Sequence, residues 1–213
     1  MLNSLYDYAV RHDLTLPSGC VNKTIKAYIS LSKSSDYIGI VLGDEQPLPC
    51  PDIGSLANGT EKSNVIVEKR SVVVPEPATA KSIFFLEALA SAAENDPSLQ
   101  VCVKALKNEE TLQKLRLLLD EAKVKPADRI SFQVDGTKIV QHKQLLDWWQ
   151  TYRKQFQKGD SLEQIRCLIT GQLTVPLSTT PSIHGLRTVG GHASGDALIC
   201  FDKPAFGSYG LKQ

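Results

Sequence analysis

The sequence predicts an α+β fold in which several β-hairpins flank a central helical block. Two patterns carry this prediction. Short apolar runs separated by polar turn residues occur before and after residues 78–128, and this pattern is typical of paired strands. Residues 78–128 instead carry apolar side chains at helical spacing. We therefore expect one domain over residues 1–213, with sub-regions 1–77 mostly β, 78–128 helical and 129–213 mixed.

The first elements follow from apolar spacing and from turn residues. Residues 4–11 place apolar side chains on one helical face, which predicts an amphipathic helix. Residues 25–31 and 37–42 are apolar runs on either side of a polar turn, and they predict a β-hairpin. Residues 43–64 are rich in proline and glycine, so they predict a loop.

A second short hairpin is predicted directly after that loop. Asn64–Val67 and Val72–Val74 are apolar runs of strand length. The polar residues Glu68–Ser71 separate the two runs, so we expect them at an exposed hairpin tip. Pro75 and Pro77 end the second strand.

The central block contains three predicted helices. Ser82 is expected to cap the first, over residues 83–95, because a serine hydroxyl can accept a hydrogen bond from a free backbone N–H. Two more helices are predicted over about 98–107 and 109–122. The second of these carries a leucine stripe that is expected to face the core rather than a partner helix, since no sustained heptad repeat is present.

Two hairpins and one helix are predicted in the last part of the chain. Residues 129–140 form two alternating runs joined by Asp135-Gly136, which is typical of a type I′ turn. Residues 143–156 predict a helix that is anchored by aromatic side chains. Another hairpin is predicted from residues 165–170 and 173–175, which flank a Gly-Gln turn.

The composition is typical of a soluble protein. No apolar run reaches the roughly 18 residues that a membrane span needs, and the first residues do not form a signal peptide. We therefore expect a cytoplasmic protein with no membrane partner. The five cysteines are scattered and form no C-x-x-C pair, which argues against a zinc site or a disulfide framework. No metal and no cofactor are expected.

The charge is nearly balanced but unevenly distributed. The chain carries a net charge of +1, which by itself favours no class of partner. Residues 1–103 hold eight Lys/Arg and twelve Asp/Glu, whereas residues 104–158 hold twelve and seven. A basic region of this kind can follow a phosphate backbone, or it can be plain solvated surface.

The most distinctive stretch is residues 185–210. Four glycines fall within its first eleven residues, a density that indicates close backbone approach or positive φ angles. A loop rich in backbone N–H groups can hold phosphate, and the apolar run at 197–201 predicts a buried strand that fixes the loop. The stretch matches neither a dinucleotide fingerprint nor a phosphate-binding loop that ends in Gly-Lys-Ser/Thr. A set of tight turns without a ligand is the alternative.

Two groups of residues are candidates for nucleic-acid contact. Lys and Arg contact phosphates, Asn can read a base edge, and loop hydroxyls and imidazoles can donate to either. Both groups could equally be ordinary surface. The first group surrounds the predicted hairpin tip and consists of Lys62, Ser63, Asn64, Lys69 and Arg70. The second lies in the glycine-rich stretch and consists of Arg187, Thr188, Gly190, Gly191, His192 and Ser194.

No catalytic site is predicted. The four histidines are isolated in sequence, and neither H-E-x-x-H nor G-x-S-x-G occurs. We therefore predict no catalytic residues and no enzyme activity. A nuclease that uses His192 with Asp196 or Asp202 is an alternative that the residues leave open.

Six motifs mark the chain from end to end. They are LNSLYDYA, VEKRSVVVPEP, RISFQVDG, LLDWWQTYR, CLITGQ and GLRTVGGHASGDALICFDKPAFGSYGLKQ. Together they resemble the amino-terminal region of the large subunit of the type I-C CRISPR surveillance complex (Cascade), a CRISPR-associated Csd-type protein. The resemblance covers nearly the whole chain. Because that family continues beyond this region, we expect an amino-terminal fragment of a longer protein.

The resemblance implies a non-catalytic DNA-binding subunit. Such a subunit reads the protospacer-adjacent motif (PAM) in duplex DNA and helps to start strand separation, while base pairing with guide RNA reads the remaining target. The implied partners are double-stranded target DNA, the Cascade subunits bound to CRISPR RNA, including the subunit that holds its 5′ handle, and a recruited helicase-nuclease.

A scaffold without direct DNA contact is the alternative within the same complex. In that case the buried helices and the exposed side of the Trp148/Trp149 helix would dock onto neighbouring subunits.

Overall fold

The computed structural model describes two compact units of the chain. One unit comprises residues 6–158, and the other comprises residues 1–5 and 159–213. Helices and strands are both abundant, which confirms the α+β prediction. The described residues are 2–12, 15–34, 37–54, 61–156, 165–166, 171, 173–174, 182–183, 186–192 and 195–197.

The elements are numbered in chain order. The helices are α1 Leu2–Arg11, α2 Arg70–Val73, α3 Ala80–Asn95, α4 Leu99–Lys107, α5 Glu109–Glu121 and α6 Lys143–Tyr152. The strands are β1 Cys20–Lys23, β2 Ala27–Leu31, β3 Ile38–Leu42, β4 Leu48–Pro51, β5 Glu68–Lys69, β6 Arg129–Val134, β7 Thr137–Lys138, β8 Ile165–Arg166, β9 Leu173–Thr174, β10 Ser182–Ile183 and β11 Asp196–Ala197. Short 3-10 helices cover Ile139–Gln141, Arg153–Phe156 and Leu186–Val189.

A five-stranded sheet organises the larger unit. Its strand order is β3-β2-β6-β5, and β7 also pairs with β6. The predicted hairpin of β2 and β3 is confirmed, and β2 is buried along its whole length. β2 also pairs in parallel with β6, with Ala27 opposite Ile130 and Leu31 opposite Val134. This long-range pairing joins the first and third of the predicted sub-regions in one sheet.

The predicted hairpin at residues 64–74 is wrong. Only Glu68–Lys69 forms a strand, and Arg70–Val73 forms a short helix. Asn64 donates from its backbone N and its side-chain Nδ2 to Glu68 Oε2, at 2.9 and 3.2 Å. Because these bonds close a turn around the buried apolar residues, the run does not extend as a strand.

The proline-rich segment predicted as a loop contains a strand. β4 pairs antiparallel with β1, with Val21 opposite Cys50 and Asn22 opposite Pro49. Prolines cannot donate to a ladder and are therefore confined to edges and strand ends. A two-stranded ribbon tolerates them, since each of its strands has an unpaired side.

The three central helices are confirmed, but the first is capped differently from the prediction. α3 begins at Ala80, and Thr79 is its N-cap. Ser82 N donates to Thr79 Oγ1, and Thr79 N donates to the Ser82 hydroxyl. The two residues therefore form a reciprocal capping box. Ser82 lies at the third helical position rather than at the cap.

We expect Thr79→Ala to lower the free energy of unfolding by about 1 kcal/mol, because it leaves the Ser82 N–H without its acceptor. Urea denaturation followed by circular dichroism measures the change. Ala78 directly precedes the cap and is exposed, so Ala78→Ser serves as a matched control. A Thr79→Ala variant as stable as this control would contradict the capping assignment.

The core lies between the sheet and the helices. The leucine stripe of α5 faces it as predicted, since Leu115 and Leu119 are fully buried. Trp149 of α6 is also fully buried, and its indole Nε1 donates to Gly19 O at 2.7 Å. The predicted type I′ turn is confirmed by φ angles of +47° at Asp135 and +81° at Gly136.

The smaller unit contains two short antiparallel ribbons among its described residues. β8 pairs with β9, which confirms the predicted hairpin there. β10 pairs with β11, with Ser182 opposite Ala197. Of the predicted strand at 197–201, only Ala197 lies within the described residues.

The described cysteines are buried thiols. Cys20, Cys50 and Cys102 are unpaired, and burial raises the pKa of Cys50 to about 11 and that of Cys102 to about 12. They are therefore neutral near pH 7 and pack as small apolar groups, as the sequence indicates. Cys167 and Cys200 lie outside the described residues. None of the described helices is long and apolar enough to cross a membrane.

Candidate nucleic-acid interface

Ser63 and Asn64 are occupied by contacts within the larger unit. Ser63 is 4% exposed, and the carbonyls of Asn64 and Lys81 lie 3.1 and 3.2 Å from its hydroxyl. Asn64 Oδ1 accepts from Ile53 N at 3.0 Å, and its amide nitrogen donates to Glu68. Their polar groups therefore hold the turn before β5, and DNA contact by these two residues stays a prediction.

Arg70 is also used internally. Its Nη1 donates to Val124 O at 2.6 Å and lies 2.6 Å from Asp120 Oδ1, while Nη2 donates to Arg116 O at 3.4 Å. Asp120 lies in the last turn of α5 and Val124 just beyond it, where unpaired carbonyls favour a cation. Arg116 lies in the preceding turn of α5. The Arg70 side chain is 12% exposed. The guanidinium is therefore used within the fold, and the phosphate contact by Arg70 stays a prediction.

Lys62 and Lys69 keep their ammonium groups accessible to different degrees. Lys62 is half-buried, and its Nζ lies 4.8 Å from the centroid of the Phe156 ring, a cation–π distance. Lys69 is exposed at the end of β5. Among the five residues of the first predicted group, Lys69 is thus the one whose charge is presented to solvent without a described partner.

Two further cations accompany Lys69 at this end of the sheet. Lys69 pairs with Arg129 in the β5–β6 register. Lys26 directly precedes β2, and its backbone N donates to Arg129 O at 2.8 Å. Lys26, Arg129 and Lys69 therefore follow one another across three adjacent strands, and all three are exposed. We call these three residues the cation row. Local sequence patterns give no signal for it, because the β2–β6 pairing joins residues about a hundred positions apart.

The backbone of the glycine-rich segment is occupied by its own chain. Gly191 N donates to Leu186 O at 2.9 Å, Gly190 N to Arg187 O at 3.4 Å and Gly195 N to His192 O at 3.1 Å. His192 N donates to Asp196 Oδ2 at 2.9 Å. The prediction of free N–H groups for an anion is therefore wrong for these four residues, and the Asp196 carboxylate takes the position of a bound anion.

The glycines are required for the reasons that the sequence indicates. Gly190 has a φ of +97° and Gly195 a φ of +92°, which a Cβ disfavours. A Cβ on Gly191 would lie 2.5 Å from Asp196 Oδ2 and 2.6 Å from Leu186 Cβ. The predicted close backbone approach is therefore confirmed at Gly191, but the neighbour is the protein's own chain.

What this segment offers to a ligand is side chains. Arg187, Thr188, Val189 and His192 are all exposed, with Val189 79% exposed and the His192 side chain 85% exposed. We call these four residues the exposed rim. The guanidinium, the hydroxyl and the imidazole can each donate to phosphates or base edges. Ser194, the remaining predicted residue, lies outside the described residues.

The pair of side chains in the alternative nuclease prediction is only loosely associated. His192 Nε2 lies 3.9 Å from Asp196 Oδ1, beyond hydrogen-bonding distance. Asp202 lies outside the described residues. Within the part of the chain that the structure describes, no group of three or more His, Cys, Asp and Glu side chains is arranged to hold a metal ion.

A buried polar cluster lies where α3 ends and α6 begins. Asp96, which follows α3, is 6% exposed and accepts from Ser98 N at 3.1 Å and from the Ser98 hydroxyl at 2.5 Å. His142, which precedes α6, places its Nδ1 2.6 Å from Asp96 Oδ2. The carboxylate thus links the end of α3 to the start of α6. This is a structural role that the isolated position of His142 in the sequence does not suggest.

The sequence comparisons identify the family. No curated protein sequence matches the chain. The model of the family described as CRISPR-associated protein (Cas_Csd1) matches residues 2–213, which confirms the resemblance carried by the six motifs. The chain therefore belongs to the Csd1 family of CRISPR-associated proteins.

Proposed function

We propose that this chain is a non-catalytic DNA-binding module of a type I-C CRISPR interference complex. In this role it recognises the PAM in duplex DNA and helps to start separation of the target strands. Its partners are the double-stranded target, the Cascade subunits bound to CRISPR RNA, among them the subunit holding the 5′ handle, and the recruited helicase-nuclease. Family membership supports a role in a CRISPR complex, and the DNA contact is inferred from side-chain chemistry.

The observation that carries the DNA contact is the exposed rim. Its backbone is fixed by the bond from His192 N to Asp196 and by the bond from Gly191 N to Leu186 O. A fixed backbone lowers the cost of ordering the loop on binding, which favours recognition of one geometry over others. Arg187 can bind guanine or a phosphate with two parallel hydrogen bonds, and His192 can donate to a base edge or a phosphate.

The motif-reading role is tested with the assembled complex and a pool of duplex targets randomised at the PAM positions. We expect Arg187→Ala combined with His192→Ala to lower affinity for the preferred motif by about 30-fold or more, since each side chain that reads a base contributes roughly 1–3 kcal/mol. The variant should also discriminate less between the different PAM sequences in the pool. Lys104→Ala with Lys107→Ala serves as the control, because both lysines are exposed on α4. A rim variant that selects the wild-type motif with wild-type affinity would refute the proposal.

A subunit-docking scaffold without DNA contact is the second candidate. It is favoured by the internal use of Ser63, Asn64 and Arg70, three of the residues predicted from the sequence to contact DNA. The exposed side of α6, which includes Asp147 and Gln150, would then face a neighbouring subunit. Substitution of these two residues by Ala would impair complex assembly under this alternative. Under the proposed function, assembly is unchanged by them and motif selection depends on the rim.

A further inference from the structure

The cation row is unusual because like charges occupy neighbouring cross-strand positions. Lys69 is directly opposite Arg129, and Lys26 is hydrogen-bonded through its backbone to the other side of Arg129. Like charges in such positions destabilise a sheet. A bound polyanion would offset this repulsion, so the row is a candidate binding surface.

Carboxylates lie near the row but form no ion pair with it among the described residues. Lys26, Arg129 and Lys69 border one depression of about 360 Å³, together with Asp44, Glu45 and Asp128. Asp44 is paired with Lys138 at 3.1 Å, and Asp128 Oδ2 accepts from Lys125 N at 2.7 Å. The three cations themselves form no ion pair or side-chain hydrogen bond with any other described residue.

We propose that the cation row binds the phosphodiester backbone of a nucleic acid. This inference deepens the proposed function, on which it rests, by assigning backbone contact to Lys26, Arg129 and Lys69. The exposed rim, in contrast, reads the motif. Neither Lys26 nor Arg129 belongs to a sequence pattern that marks a binding loop, and the sheet alone brings them beside Lys69.

The spacing of the row fits this ligand. Adjacent strands lie about 4.8 Å apart, so three neighbouring strand positions extend over roughly 10 Å. One strand of a duplex carries a charge about every 3.4 Å along the helix axis. Three successive phosphates of one strand advance about 7 Å along the helix axis, and the long Lys and Arg side chains of the row can span the difference. The row sits at the end of a buried sheet, so its backbone is held in place before the ligand arrives.

The test replaces Lys26, Lys69 and Arg129 together by Gln and measures binding of the 213-residue chain by fluorescence anisotropy. The probes are a short DNA duplex and a single-stranded RNA of the same length. We expect the affinity to fall roughly 10- to 30-fold and the salt dependence of binding to weaken by about three phosphate contacts. The control replaces Lys104, Lys107 and Lys114, three exposed lysines of α4 and α5, by Gln. Circular dichroism and urea denaturation establish that both triple variants fold like the wild type.

The outcomes separate this inference from the proposed function. If the triple variant loses more affinity than the control for DNA alone, the row contacts target DNA. If it does so for RNA alone, the row contacts guide RNA. If it does so for both probes, the row binds the backbone of either nucleic acid. A loss no greater than the control's on both probes overturns the role of the row. If the wild type then still selects its motif through the rim, the proposed function stands without the row. Absence of nucleic-acid binding by the wild type would overturn both.

Discussion

Replacing Arg70 by Met is expected to lower the free energy of unfolding by about 2–4 kcal/mol, which is typical when buried hydrogen bonds from a charged group are lost. The guanidinium donates to the carbonyls of Val124 and Arg116, and both would lose a buried donor. The ion pair with Asp120 adds less, because the Asp120 side chain is 65% exposed. Urea denaturation at neutral pH measures the change.

Lys69 provides a matched control for this prediction, because it is the adjacent residue and is exposed. We expect Lys69→Met to change stability by less than about 0.5 kcal/mol but to lower DNA affinity about threefold through loss of one phosphate contact. Arg70→Met should have the opposite profile: its stability is lower, and its affinity for DNA is unchanged under conditions in which the variant is folded. If Arg70→Met is as stable as the wild type and binds DNA poorly, then Arg70 does not stabilise the end of α5 as we infer.

Replacing Asp96 by Ala is the second change with a large expected effect. The carboxylate accepts hydrogen bonds from Ser98 and is paired with His142, so its removal leaves the start of α4 and α6 without an acceptor. We expect a loss of about 2–4 kcal/mol, because the group is buried. Asp147→Ala on the exposed side of α6 is the control, with an expected change below about 0.5 kcal/mol.

The contribution of Asp96 depends on pH with a definite sign. Burial disfavours the charged form, but hydrogen bonds from Ser98 and His142 outweigh it and hold the pKa of Asp96 below its ordinary value. A carboxyl group whose pKa is lower in the folded state contributes its stability above the unfolded pKa of about 3.9 and loses it as pH falls through the folded pKa. The difference in stability between wild type and Asp96→Asn should therefore be larger at neutral pH than below about pH 3. An equal difference at both pH values would contradict the role of the charged carboxylate.

Local patterns were sufficient to predict the longer helices and the hairpin at Asp135-Gly136. The Asp135-Gly136 dipeptide by itself specifies a type I′ turn. The apolar stripe of α5 places Leu115 and Leu119 in the core. The apolar run around Val65–Val67 was misread because it satisfies strand composition, whereas the Asn64–Glu68 bonds select a turn. Such a competition between side-chain bonds and a ladder is not visible in residue type alone.

The candidate site was predictable only in part, and for a physical reason. Residue type indicates which side chains can bind phosphate, but not whether the folded chain already uses them in internal hydrogen bonds and ion pairs. Arg70 and Lys69 are adjacent and both basic, yet the carbonyls beyond α5 engage only Arg70. The same limit applies in the glycine-rich segment, where the Asp196 carboxylate accepts a hydrogen bond from His192 N, a contact that residue type does not indicate. The proximity of Lys26 to Arg129 could not be predicted without the parallel pairing of β2 and β6.

The most direct measurement is the affinity of the 213-residue chain for a short DNA duplex as a function of salt concentration. If the three cations of the row each contact a phosphate, the logarithm of the association constant should fall with the logarithm of the salt concentration with a slope of about −3, because each neutralised phosphate contributes about −0.9. Binding that does not change with salt, or no binding even at low salt, would contradict a DNA-binding role for this Csd1-family chain.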